Sequence, residues 1–326
     1  MHVLRLMTRA GHWLAGGLLA LGAAAASGQA FPSKPITYIV GFGAGSGIDN
    51  VARVVGQRIA ESMSNPVVVE NRVGAAGSIA LEALSKAAPD GHTILIASAS
   101  DLINQYASRN AKLEIVRDFT PVALTGALPL VLAVTDSLAA KNVDELVALA
   151  KAQPGKLNWA SVVGASPHFM GEAFKSARGI DMKMVPYRTT NDATADVVSG
   201  RVEVTFTTVT AAVPLAKSGK VRVLAITGRD RSSLLPDVPS TAELGMPTVD
   251  VGIGYFVLAP KGTPPSVVAA LNAQFAKALA SKDVRDKLLA SGVEPKISTP
   301  EQLEASLRTE SARWAKLVKD LGVKVE

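Results

Sequence analysis

The run ITYIVGFGAGSGID at residues 36–49 carries the clearest sign of the fold. Its first half, Ile36 to Phe42, is apolar and rich in β-branched residues, which is typical of a buried strand. Glycines then alternate through residues 41–47, and from Val51 to Met63 apolar residues recur at helical spacing. A strand, a glycine-rich turn and a helix open a βαβ unit, so this run predicts an α/β protein.

The glycine-rich turn suggests nucleotide binding, but its spacing argues against that function. Counted from Gly41, the last glycine position of the dinucleotide motif is Ser46, and counted from Gly43 it is Ile48. No lysine follows the glycines, so the P-loop pattern fails as well. Two interpretations remain open. Ser46 and Asp49, at Ser-x-x-Asp spacing, cap the helix, or the backbone amides of the turn contact a carboxylate or phosphate.

Strand and helix patterns alternate through the rest of the chain, which predicts parallel sheets flanked by helices. The pattern restarts twice, and two extended passages, 119–132 and 252–258, are placed to cross between two lobes. We expect a discontinuous first lobe at 31–127 and 255–326, a second lobe at 128–254, and a ligand cleft between them. The further elements expected are strands at 67–70, 93–98, 131–134, 157–161, 202–207 and 221–227, and helices at 79–87, 143–152, 169–177, 267–279, 284–290 and 300–321.

The N-terminus has the layout of a secretory signal peptide. Arg5 and Arg9 precede an uncharged stretch at 10–33 whose centre is rich in leucine, glycine and alanine. This stretch is short and diluted by small residues, whereas a membrane span needs about 20 strongly apolar residues. We therefore expect residues 1–30 to be a signal peptide, cleaved near residues 26–30, and the mature chain to lie in the bacterial periplasm.

Composition excludes several classes of protein. The chain of 326 residues contains no cysteine, which rules out disulfide scaffolds, thiolate metal sites and cysteine nucleophiles. Without residues 1–30 there are 32 basic and 28 acidic residues, spread without a basic run, so nucleic-acid binding is not supported. There is no Gly-x-Ser-x-Gly elbow and no run of alternating oxygen ligands, so we expect neither a nucleophilic enzyme nor a bound metal or cofactor.

Two further glycine turns follow strands and precede helices, at 71–78 and 161–168. Because the carboxyl ends of strands in open α/β sheets meet at one edge, these turns should converge on the cleft and present amides to an anion. His168 either contacts the ligand or packs at the start of a helix. Asp192 lies four residues before Asp196, and this pair either takes part in the site or belongs to a solvated helix face. The candidate ligand-binding residues are Phe42, Gly43, Ser46, Asp49, Gly77, Ser98, Ser100, Ser161, Gly164, Ser166, Thr207, Thr208 and Asp192.

Motifs along the whole mature chain together resemble those of the extracytoplasmic solute-binding proteins of tripartite tricarboxylate transporters, the Bug family. Each motif is weak alone, but their order and spacing are specific. They include Phe31-Pro32-x-Lys34-Pro35-Ile36, Asn71-Arg72-x-Gly74-Ala75-x-Gly77, Pro89-Asp90-Gly91-x-Thr93, Val185-Pro186-Tyr187-Arg188, Leu235-Pro236-Asp237-Val238-Pro239 and Leu258-Ala259-Pro260-x-Gly262-Thr263-Pro264.

The resemblance implies a two-lobed α/β periplasmic-binding-protein fold of type II, the Venus-flytrap fold, with two crossover strands. It also implies a small carboxylate ligand, held by amides, hydroxyls and water rather than by arginines. Two departures from the family pattern lie near the ligand: Gly41 to Ser46 replaces a proline-rich turn, and Tyr187-Arg188-Thr189 replaces Tyr-Lys-Gly. The substrate therefore cannot be copied from a relative.

The leading hypothesis is a monomeric periplasmic protein that captures a di- or tricarboxylate, an amino acid or an aromatic acid for membrane permease subunits. One alternative is a sensor module that binds the same ligand and reports to a membrane kinase. The other is an exported α/β hydrolase that uses Asp49 or Asp192 as its base. Tight binding without turnover would distinguish the first two from the hydrolase.

Overall fold

The computed structural model describes residues 31–127, 129–232, 234–250 and 254–323. From Lys34 onward the chain forms one compact unit. The described strands are β1 Ile36–Val40, β2 Val67–Asn71, β3 Thr93–Ser98, β4 Phe119–Ala127, β5 Leu130–Thr135, β6 Asn158–Val162, β7 Lys183–Tyr187, β8 Val204–Thr208, β9 Val221–Ile226, β10 Tyr255–Pro260 and β11 Glu294–Pro295.

The helices lie between the strands and after the last long one. They are α1 Gly47–Met63, α2 Ser78–Ser85, α3 Ala99–Ala107, α4 Ile115–Asp118, α5 Val143–Ala152, α6 Ser166–Arg178, α7 Thr190–Val198, α8 Val209–Lys217, α9 Pro265–Ala280, α10 Lys282–Ala290 and α11 Pro300–Leu321. A 3-10 turn at Ala75–Gly77 precedes α2. Among the described helices, none is long and apolar enough to span a bilayer.

The strands form two separate sheets. The six-stranded sheet has the order β11-β4-β10-β3-β1-β2, and the five-stranded sheet has the order β7-β6-β8-β5-β9. We call the parts of the chain built on them the first lobe and the second lobe. The exact lobe limits at 31–127 with 255–326 and at 128–254 stay a prediction, and so does the signal peptide, since residues 1–30 lie outside the described part of the chain.

The prediction of parallel sheets is correct only for the βαβ units. β1 pairs in parallel with β2 and β3, and β6 pairs in parallel with β7 and β8. The crossover strands β4 and β10 pair antiparallel with each other, and β10 is also antiparallel to β3. β5 is antiparallel to both of its neighbours. The sheets are mixed because a chain that crosses to the other lobe and returns re-enters its sheet in the opposite direction.

The predicted crossover at 119–132 contains β4 and the start of β5, with Leu128 outside the described residues. The crossover predicted at 252–258 overlaps β10, while residues 251–253 also lie outside the description. Both passages thus contain regular strands rather than plain linkers. The elements that the sequence patterns did not indicate are β7, β11, α3, α4 and α8, and α7 extends over the segment that carries Asp192.

One hydrophobic core runs from the first lobe into the second. It includes Leu95, Phe119 and Trp314 of the first lobe and Trp159 and Phe169 of the second. The rings of Phe169 on α6 and Trp314 on α11 meet edge to face, with 6.1 Å between their centroids. The two lobes therefore share apolar packing as well as two crossover strands.

Candidate functional site

The candidate site lies where the N-termini of α3 and α6 meet across the two lobes. The hydroxyls of Ser100 and Ser166 are 2.8 Å apart, and the backbone N–H of Ser166 donates to Ser100 Oγ at 3.0 Å. Both serines are buried. These bonds join residues 66 positions apart, so they bring together two of the turns that the sequence predicted to converge.

Helix N-termini give this place its electrostatic character. Each N-terminus carries a partial positive charge and unpaired N–H groups, and here two of them face one another. The polar groups that the structure brings together here are the hydroxyls of Ser100 and Ser166 and the backbone N–H of Ser166. Hydroxyls and amides of this kind can donate hydrogen bonds to an anion.

The first glycine turn is fixed by Asp49. Its carboxylate accepts hydrogen bonds from Gly45 N at 2.9 Å, from Asn71 Nδ2 at 2.8 Å and from both Nε and Nη2 of Arg53 at 2.9 and 3.0 Å. Burial raises the pKa of Asp49, but these hydrogen bonds outweigh burial and hold that pKa below its usual value. Ser46 is the N-cap of α1 and accepts from Asp49 N. Asp49 thus makes structural contacts and Ser46 caps α1, while contact of this turn with a ligand stays a prediction.

Replacing Asp49 with asparagine is expected to lower the free energy of unfolding at pH 7 by about 1 to 3 kcal/mol, because charge-assisted hydrogen bonds to a buried carboxylate are lost. The folded-state pKa is depressed, so the contribution is present above the unfolded-state pKa of about 4 and disappears as pH falls through the folded value. Denaturant unfolding of both proteins between pH 3 and 7 measures the difference. Asp283→Asn, an exposed ion-pair partner on α10, is the control and should change little.

The second glycine turn packs against an aspartate that sequence reasoning missed. Asp101, in the first turn of α3, is buried, and its Oδ2 accepts from Ser98 N at 2.8 Å and from Ser98 Oγ at 2.7 Å. Gly77 lies against the other oxygen: a Cβ built on Gly77 would be 1.9 Å from Asp101 Oδ1. Ser98 and Asp101 repeat the Ser-x-x-Asp spacing of Ser46 and Asp49, and that spacing was the signal that could have found Asp101.

In the second lobe the predicted residues have different partners. Ser161 Oγ, at the end of β6, is buried and has no hydrogen-bond partner among the described residues. Gly164 N donates to Nδ1 of the buried His168 at 3.2 Å, and burial lowers the pKa of that histidine. His168 is thus packed at the start of α6. Its Nδ1 accepts the hydrogen bond of the Gly164 N–H, so this amide of the turn already has a partner within the protein.

Threonines fill the neighbouring strand end. Thr207 Oγ1, buried at the end of β8, lies 3.2 Å from Thr194 Oγ1, a partner that the sequence did not indicate. Thr208 caps α8 by accepting from Ala211 N. Asp192 is exposed and accepts from Thr189 Oγ1 in the first turn of α7, which agrees with the solvated-face interpretation.

A cavity of about 480 Å³ lies elsewhere, between the crossover strands and α11. Its lining includes Gly126, Gly254, Lys296 and Thr309. None of the predicted ligand-binding residues contributes to it. In the described part of the chain no three histidine or acidic side chains are grouped so that they could hold a metal ion.

Two sheets joined by two crossover strands, with hydroxyls of both lobes meeting between them, are the arrangement of two-lobed solute-binding proteins. Residues 51–323 match the tripartite tricarboxylate transporter family receptor, TctC, and the chain belongs to this family. The protein BugT of Bordetella pertussis is 36% identical over 307 residues, which cover 93% of this chain and 94% of BugT.

Solved structures agree in fold. Rpa4515 of R. palustris, with adipate, is 32% identical with a TM-score of 0.83, over 90% of this chain and 99% of that one. MatC of Rhodopseudomonas palustris, with bound malate, is 30% identical with a TM-score of 0.81, over 88% of this chain and 100% of MatC. The predicted periplasmic-binding-protein fold is therefore confirmed. Because the family consists of solute-binding proteins, the hydrolase alternative is wrong, and neither Asp49 nor Asp192 is a catalytic base.

Proposed function

We propose that this protein captures a small organic carboxylate between its lobes, as a periplasmic monomer, and delivers it to the permease subunits of a tripartite tricarboxylate transporter. The observation that carries the proposal is the meeting of the α3 and α6 N-termini at Ser100 and Ser166, one from each lobe. The adipate and malate of the two neighbouring structures are the kind of ligand that such a place suits. Family membership supports the transporter as the partner.

The proposed lining is built from hydroxyls, the glycine turns and Phe42. Asp49 and Asp192 are left out because their carboxylates would repel an anion, and Gly164 is left out because its amide N–H already donates to His168. Ser161 supplies a buried hydroxyl that has no hydrogen-bond partner in the described part of the chain, and the hydroxyls of Ser100 and Ser166 bond to each other. The lining consists of Phe42, Gly43, Ser46, Gly77, Ser98, Ser100, Ser161, Ser166, Thr207 and Thr208.

Ligand capture is proposed to work by lobe closure. A carboxylate that accepts from Ser100 on one lobe and from Ser166 on the other takes over the bonds that these serines make to each other. Because such a ligand touches both lobes, it favours the closed arrangement over any open one. The crossover strands β4 and β10 carry the change, since they connect the two lobes.

We expect malate, adipate or another carboxylate of a screening panel to raise the melting temperature. At about 100 times the dissociation constant the linked stabilisation is about 2.7 kcal/mol, or about 5 °C for a chain of this size. Small-angle scattering should show a smaller radius of gyration at the same concentration.

Ser166→Ala should weaken binding by about 0.5 to 3 kcal/mol in calorimetry. Ser218→Ala, on an exposed serine of the same lobe, is the matched control.

Stabilisation without compaction would contradict lobe closure, and the absence of stabilisation by any carboxylate would contradict the proposed ligand class. A pull-down of the loaded protein with periplasmic loops of the permease and of membrane kinases tests the partner. Retention by the kinase loops alone would favour the sensor alternative over delivery.

A further inference from the structure

Asp101 is a buried acid whose two oxygens have unequal surroundings. Oδ2 receives both the N–H and the O–H of Ser98. Oδ1 has no hydrogen-bond partner among the described residues and lies against Gly77, with Gly41 next to it. Only 1% of the residue is exposed. A carboxylate in such a place lacks the compensation that a buried charge usually has.

The elements packed on α3 bring almost no charge to Asp101. β3 and the 75–77 turn contain no titratable side chain. The buried residues of α11 are Leu303, Leu307, Ser311, Trp314 and Val318, and the buried face of α6 adds one titratable group, His168. On the partly exposed side of α6, Glu172 and Lys175 pair with each other at 3.0 Å. Burial accordingly raises the pKa of Asp101 to about 6, although the bonds from Ser98 lower it in part.

The protonation of Asp101 determines what Ser98 can offer to a ligand. A serine hydroxyl has one proton, and here it points to Asp101 Oδ2. The Ser98 hydroxyl also accepts from the backbone N–H of Asp101, so in this proton arrangement it has only a lone pair left for a ligand, and a lone pair repels a carboxylate. Once Asp101 carries a proton, it can donate to Ser98 Oγ, and the hydroxyl proton of Ser98 becomes free to donate to an anion.

We propose that Asp101 and Ser98 form a proton-coupled gate, in which binding of a carboxylate in the cleft is accompanied by uptake of one proton at Asp101. The proposal rests on the proposed function and deepens it, because it states how the site selects its ligand. When Asp101 is ionised, its negative charge repels the carboxylate of a ligand bound beside it. When Asp101 is protonated, this repulsion is absent and the ligand can bind. The apparent affinity should fall about tenfold per pH unit above the point at which Asp101 ionises.

The first test needs no ligand. A carbon-13 titration of the aspartate carboxyl carbons, with Asp101 assigned by comparison with Asp101→Asn, should show Asp101 titrating at about pH 6. Ser98→Ala should move this midpoint upward, because one donor to the carboxylate is removed. Titration of Asp101 near pH 4, the ordinary range of aspartate, would overturn the gate whatever the ligand is.

The second test measures coupling with malate and adipate as probes, between pH 6 and 8, above the range in which simple carboxylic acids titrate. In the wild type the ligand-induced rise in melting temperature should shrink with pH, and in Asp101→Asn it should stay constant. Asp192→Asn, an exposed aspartate outside the proposed lining, and His168→Gln should retain the wild-type slope. The same slope in Asp101→Asn, or a slope lost only in His168→Gln, would overturn the proposal.

Failure of the gate and failure of the proposed function give different results. If no carboxylate raises the melting temperature at any pH, the proposed ligand class is contradicted, and the carboxyl titration still decides whether Asp101 holds a proton near pH 6. If carboxylates bind with equal affinity from pH 6 to 8, the ligand class stands and the gate is wrong.

Discussion

Replacing Gly77 with alanine is expected to lower the free energy of unfolding by about 2 to 5 kcal/mol, which combines backbone strain with a steric clash. Gly77 has a φ of +98°, a conformation that residues with a Cβ rarely adopt. The new methyl group would be 1.9 Å from Asp101 Oδ1, and Asp101 is held in place by Ser98. Denaturant unfolding at pH 7 measures the loss.

Gly43→Ala is the matched control in the first glycine turn. A Cβ there would meet no atom within 4 Å, and the φ of Gly43 is not among the positive ones, so the change should be small. The double variant Gly77→Ala, Asp101→Ala has no carboxylate for the new methyl group to meet. Its loss of unfolding free energy should therefore be smaller than the sum of the losses in the two single variants. Full additivity would show that Gly77 does not pack on Asp101 as described.

Replacing Trp314 with alanine is expected to cost about 3 to 5 kcal/mol of stability, since a fully buried indole is removed and a cavity remains. The indole also packs on Phe169, so the lobes lose an apolar contact between them. Scattering should therefore show a larger radius of gyration for the ligand-free variant. Chemical unfolding gives the free energy in the same samples.

Phe275→Ala separates these two effects. Phe275 is also fully buried, but it stacks on Tyr38 within the first lobe, with 5.8 Å between ring centroids. Its loss should destabilise the protein by a similar amount without changing the arrangement of the lobes. An equal change in radius of gyration for both variants would mean that the Phe169 and Trp314 contact does not hold the lobes together.

Local patterns predicted most of the elements in the six-stranded sheet. The run at 36–49 forms β1, a turn and α1 in that order, and the helix expected at 300–321 is α11. α3 was missed although its apolar residues recur at helical spacing, because it is only nine residues long and follows β3 without a turn between them. α8 was missed because it contains Pro214, which ordinarily argues against a helix.

The candidate site was predictable in part, because it is built on local turns. Turns at strand ends can be seen in sequence, and Ser100 and Ser166 were chosen from such turns. Which hydroxyls meet depends on how two lobes pack, and the sequence carries no local sign of a contact across 66 positions. Asp101 has a sequence signal, the Ser-x-x-Asp spacing from Ser98, but its burial against Gly77 is seen only in the structure.

The place of β10 in its sheet also sets an order of assembly. β10 lies between β3 and β4, so β4 has no long partner strand in the described sheet until residues 255–260 are present. During synthesis, the whole of the second lobe is made before that strand emerges, and the first sheet stays open with unpaired edges. The first lobe therefore cannot complete its sheet before the second lobe has been synthesised.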